Sequence, residues 1–167
     1  MANAKSVEII KGAILMEHQG KAFYETVAKT ATHVAVREIF QSMAIEEKKH
    51  IEMLSSQYVS LIKTGHMNNI VPDGEAGDFA SKILNADVRK EISGAGYEAA
   101  AIGAALNMEK NAVEYYGARA QSATDPGEKK LYEWLSDWEK THLDILVTLD
   151  RELRESVWYD QGFWPIG

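Results

Sequence analysis

The chain has 167 residues, a formal net charge of −7 and no cysteine. That length is enough to bury a core without covalent staples. The acidic balance, with no run of basic residues, gives no electrostatic footprint for nucleic acid or an anionic membrane. Without thiols, disulfides, thiolate catalysis and cysteine-held zinc or iron–sulfur clusters are excluded within the chain, so any metal must be held by oxygen and nitrogen.

A composition that is 46% hydrophobic with only 3 prolines favours helices over strands. The opening MANAKSVEIIKG lacks a basic region followed by an apolar core, and no apolar run approaches the roughly 18 residues of a membrane span. A cytoplasmic location with no membrane partner is the expectation.

In chain order, Ile10, Ile14, Tyr24 and Val27 recur at helical spacing to about residue 30, and Ala31-Thr32-His33 reads as a turn. A second helix carries Val36, Ile39, Phe40, Met43, Leu54 and Leu61. From about Gly65 to Gly96 the loop chemistry is clearest, with Asn68-Asn69 and Val71-Pro72-Asp73-Gly74, then a short helix near Asp78 to Asn85. A third helix from about Tyr97 carries Ile102, Leu106, Val113 and Tyr116. Asp125-Pro126-Gly127-Glu128 then supplies an N-cap acid, a proline at the first helical position and a capping-box glutamate. The fourth helix carries Leu131, Leu135, Ile145, Leu149 and Leu153.

The two hairpins are copies of one another. A shift of 92 positions places Met16 on Met108, Glu17 on Glu109, Tyr24 on Tyr116, Glu47 on Glu139, His50 on His142 and Leu54 on Leu146 without gaps. Two antiparallel hairpins joined by one long connection predict an all-α, ferritin-like four-helix bundle with a crossover that includes a short helix. The bundle is expected over residues 1–157 and an aromatic tail over 158–167. That tail would fold back or pack on a second subunit, giving a homodimer.

Six ligand-type residues fall on the inner faces. Glu17 lies between Ile14 and Tyr24 in the apolar stripe, Glu109 likewise between Leu106 and Tyr116, while Glu47, His50, Glu139 and His142 continue the stripes of the return helices. Residues three apart share a helical face, so each Glu-x-x-His offers a carboxylate and an imidazole to one centre. At ~1.5 Å per residue, equal counts to the turn bring Glu17 level with Glu47 and His50. Unpaired, four buried carboxylates would each cost several kcal/mol. Two divalent cations would balance them, in the di-iron or di-manganese carboxylate pattern.

Single copies of Glu-x-x-His are common on helix surfaces. The functional reading rests on two copies in register with two glutamates inside the stripes. His18, His33 and His66 read as surface residues. Tyr24 and Tyr116 could hydrogen-bond the ligand carboxylates or serve as ordinary core tyrosines. Met16 and Met108 read as packing, and Trp134, Trp138, Trp158 and Trp164 as core or interface.

Over about residues 5 to 155 the sequence resembles the rubrerythrin-related branch of the ferritin-like superfamily, through ILMEHQGKAFYE with IEEKKH in one half and LNMEKNAVEYY with WEKTH in the other. The resemblance implies two iron ions, with manganese as the alternative, held by Glu17, Glu47, His50, Glu109, Glu139 and His142, with Glu47 and Glu139 bridging. It also implies reduction of hydrogen peroxide or dioxygen. Rubrerythrins carry a cysteine-ligated rubredoxin-like domain that this chain lacks, so electrons would come from a separate donor such as a rubredoxin-like protein. They also carry a further glutamate where this chain has Ala112, and Glu114 is rotated roughly 140° from Glu109. The ligand set is thus nearer the six-residue set of bacterioferritins. Ferroxidase or iron-storage activity is the alternative function, and a helical interaction module with a vestigial site is the non-enzymatic one.

Overall fold

The computed structural model describes residues 4–68 and 97–160, with side chains as far as residue 155. They form four helices: α1 Ala4–Thr30, α2 Val34–Thr64, α3 Tyr97–Ser122 and α4 Pro126–Asp160. The short helix expected near Asp78 to Asn85, and most of the crossover, lie outside the described residues. Helix α4 continues to Asp160, while residues 161–167 of the aromatic tail lie outside the described residues. No described helix is long and apolar enough to cross a membrane.

Helix α1 packs along α2 and α3 along α4, giving two hairpins that meet through α1 and α3. The helix ends follow local chemistry. Asp125 Oδ1 accepts the Glu128 backbone N–H at 3.0 Å, so the cap expected from the sequence forms with Pro126 in the first turn. Gly65 ends α2 at φ 83°, a left-handed conformation that suits glycine, and its N–H returns to the Leu61 carbonyl at 2.9 Å.

At the start of α2, His33 provides no side-chain cap. Glu98, from the first turn of α3, instead pins the turn that precedes the helix: its Oε1 accepts the Thr32 backbone N–H at 3.0 Å and the Thr32 hydroxyl at 2.8 Å. Those bonds from Thr32 hold the Glu98 carboxyl down at about 2. Glu98→Ala is expected to cost about 2 kcal/mol, or roughly 4–8 °C in Tm. Because the folded value is depressed, this contribution is present above the ordinary value of 4.5 and is lost as pH falls toward about 2. Urea denaturation at pH 6 and pH 3 should show the gap between variant and wild type narrowing in acid.

The core is in two parts. One holds Tyr24, Val36, Ile39, Phe40, Met43, Ile102, Ile145 and Leu149, and the other Ile10, Leu54, Tyr116, Leu131, Tyr132 and Leu135. On every helix the candidate ligands lie between the stretches that build these two layers. The polar cluster is therefore sealed at both ends by hydrocarbon, where electrostatic interactions are stronger than in water.

Candidate metal centre

The structure brings all six sequence-predicted side chains together. Glu17, Glu47, Glu109 and Glu139 are 1–3% exposed, and His50 and His142 are fully buried. Two overlapping groups form, Glu17, Glu47, His50 and Glu139 in one and Glu47, Glu109, Glu139 and His142 in the other, with the ligand atoms of each within 4.8 Å of one another. Glu47 and Glu139 belong to both groups, whereas Glu17 and Glu109 each serve one. His18 and His66 are exposed and His33 lies in the α1–α2 turn, away from the cluster.

Both imidazoles turn Nδ1 toward the carboxylates. His50 Nδ1 stands 3.0 Å from Glu139 and 3.1 Å from Glu17, and His142 Nδ1 stands 3.2 Å from Glu139 and 3.4 Å from both Glu47 and Glu109. Yet neither oxygen of Glu139 has a hydrogen-bond partner among the described residues. Buried acceptors approached closely but not hydrogen-bonded suit groups aimed at a common centre. Four carboxylates and two imidazoles also match two divalent ions in charge and in donor type, so the residues fit a metal pair.

Without metal, protons must neutralise the cluster. Burial, reinforced by Glu139 and Glu47, pushes Glu17 well up, and burial with Glu139 pushes Glu109 up to about 8. Burial alone would lower both histidines, but Glu139 beside His50 and Glu109 beside His142 outweigh it and raise them well above the usual imidazole range. Burial opposes ionisation of Glu139 too, and the two histidines overcome it to hold that carboxyl well below its ordinary value. Glu47 is also held down: contacts from Glu17, His142 and His50 exceed the effects of burial and Glu139. Burial and mutual contact thus favour a proton on Glu17, Glu109 and both imidazoles, and favour the ionised form of Glu47 and Glu139.

The tyrosines cross between the hairpins. The Tyr24 hydroxyl on α1 donates to Glu109 Oε1 on α3, and the Tyr116 hydroxyl on α3 donates to Glu17 Oε1 on α1. Burial raises both phenols well above their ordinary value, keeping them neutral donors. Tyr24→Phe is expected to weaken binding at the Glu109 position about 10–100-fold, and Tyr116→Phe at the Glu17 position. Titration of each variant with Co(II) checks this.

A cavity of about 270 Å³ between α1 and α3 reaches all four glutamates but neither histidine. Its wall adds Met16, Gln19, Gly20, Met108, Asn111 and Ala112, none of which helical periodicity marks as part of a site. The repeat carried the signal, because these six residues form three pairs 92 positions apart. A Cβ on Gly20 would stand 3.5 Å from Glu47 Cδ, so alanine would just fit there and a longer side chain would displace the carboxylate.

Fold and site together define a ferritin-like four-helix bundle enclosing a carboxylate–histidine cluster of two-metal composition. The family model for rubrerythrin matches residues 8–150, and the chain belongs to the rubrerythrin family. Members of that family are di-iron proteins, often oxidoreductases. None of the curated proteins and none of the solved structures matches the chain.

Proposed function

We propose that the protein is a di-iron oxidoreductase that reduces hydrogen peroxide or dioxygen with electrons from a separate one-electron donor. The observation that carries this reading is the cavity that opens on the carboxylate side of two groups sharing Glu47 and Glu139. Glu17, Glu47 and His50 would hold one ion and Glu109, Glu139 and His142 the other, with Glu47 and Glu139 spanning both. Bound as a ferrous pair, iron supplies two electrons, the number needed to convert hydrogen peroxide and two protons into two waters.

The chain's own residues prepare the site. Tyr24 and Tyr116 fix the carboxylates of Glu109 and Glu17, and the apolar layers above and below exclude bulk water. Histidines on one side and a cavity on the other leave the approach on the glutamate face. The outer wall of that cavity is Met16, Gln19, Met108 and Asn111, all uncharged. An uncharged mouth over the glutamate face admits a small neutral oxidant.

The test is to load Fe(II) anaerobically and mix with hydrogen peroxide or dioxygen in a stopped-flow instrument. Rapid oxidation, faster with peroxide, repeated turnover with a reductant and iron content fixed at about two per chain would support the proposal. Uptake far beyond that ratio, with dioxygen as the better oxidant, would replace it with iron storage.

A further inference from the structure

The two histidines are related by the repeat, but their surroundings are not. Trp134 and Trp138, one turn apart on α4, both stand edge-on to the His50 ring, with centroids 5.6 and 5.9 Å away and planes inclined by 81° and 90°. The two indoles lie 5.3 Å apart. Ser42 and Glu46 occupy the positions 92 residues earlier, so the repeat supplies no second indole pair on α2. His50 is fully buried, whereas both indoles are partly exposed. The three rings therefore make a continuous aromatic contact from the protein surface to a candidate ligand.

Packing does not explain the choice of tryptophan. The Nε1 atoms of Trp134 and Trp138 are buried with no hydrogen-bond partner among the described residues, an arrangement that costs stability. A phenyl or aliphatic side chain would cover His50 without that cost. What an indole adds is a large, electron-rich π system, and electronic coupling decays less through contacting rings than across a gap.

We propose that Trp134 and Trp138 are the electron conduit to the centre. A reduced one-electron donor protein docks over α4 and gives up one electron, which passes through the indole pair and the His50 imidazole to the oxidised metal position that His50 holds. The donor is oxidised by one electron, that position is reduced by one, and the indoles end unchanged. Two such transfers reset the site after each two-electron reduction. This inference rests on the function proposed above, and it makes the two metal positions inequivalent, with electrons arriving on the His50 side.

The experiment compares the full-length wild type with the double variant Trp134→Phe, Trp138→Phe, which retains aromatic packing. Both are loaded with iron, oxidised and then re-reduced, either by photoreduced flavin mononucleotide, which is too bulky for the 270 Å³ cavity, or by dithionite, whose radical is small enough to enter it. The double variant should keep its iron content, lose at least about tenfold in rate with flavin and be unchanged with dithionite.

A readout independent of turnover comes from Co(II). Loading should quench up to half of the wild-type tryptophan emission, since two of the four tryptophans touch His50, and the variant should lose that response. Unchanged flavin rates with full iron content would overturn the conduit alone. Equal slowing with both reductants, or a wild type re-reduced only by dithionite, would also overturn it. Failure of the wild type to bind iron would remove this inference and the proposed function together.

Discussion

Glu139→Ala is expected to abolish binding of both metal ions, whereas Glu17→Ala should remove one and leave the other. The difference follows from membership, since Glu139 supplies oxygen to both groups and Glu17 to one only. Glu47→Ala should behave like Glu139→Ala, and Glu109→Ala like Glu17→Ala. Glu139 is also the main counter-charge for His50, so its loss should destabilise the metal-free chain by about 3–5 kcal/mol. Glu139→Gln keeps the shape and separates the two effects: it should fold better than the alanine variant and still bind neither ion. Elemental analysis after Co(II) loading checks the series. One ion retained by Glu139→Gln would show that this carboxylate does not bridge.

The second large effect is an exchange of protons for metal. In the metal-free chain Glu17, Glu109, His50 and His142 are all shifted toward holding a proton, while Glu47 and Glu139 are shifted toward losing one. Two divalent ions require all of the carboxylates ionised and both imidazoles neutral, so loading near pH 7 should release a net number of protons. Calorimetry in buffers of different ionisation enthalpy measures that number.

The sign is fixed: lowering pH returns these protons and weakens binding, while above about 8 the Glu109 contribution fades because that group is already ionised. The metal-free fold should also weaken as pH rises, since its raised glutamates and histidines must give up protons that the unfolded chain releases earlier. Saturating both positions at about 1,000 times Kd should add roughly 4 kcal/mol each, raising Tm by about 15–30 °C. Loading that releases no protons and leaves Tm unchanged would mean that the ions bind elsewhere.

Much of the fold and of the candidate metal centre is legible in the amino-acid sequence. The gap-free shift of 92 specifies two equivalent hairpins, and glutamates inside apolar stripes can only face the core. Burial of Glu17 and Glu109 beside the Glu-x-x-His pairs follows directly. What the sequence does not carry is relational. Tyr24 and Tyr116 each reach the glutamate of the opposite hairpin, and spacing along one helix does not say which neighbour a side chain will meet.

Trp138 makes the point more sharply. It lies one turn before His142 on the same helix, yet its ring packs on His50 of α2. That contact is set by how the hairpins pack across the bundle, which periodicity does not encode. Glu98 tying down the α1–α2 turn belongs to the same kind, because its partner Thr32 is 66 residues away. The fourth helix reaches Asp160 because no breaker precedes Gly162, although aromatic composition from Trp158 suggests a tail.

Whether the six side chains hold metal is decided by the iron-to-chain ratio after anaerobic Fe(II) loading and gel filtration, for the wild type and for Glu139→Gln. Two tightly held irons per chain in the wild type and none in the variant is the expected result. A wild type that retains no iron, or a variant that retains the same two, would show that these six side chains are not the metal centre.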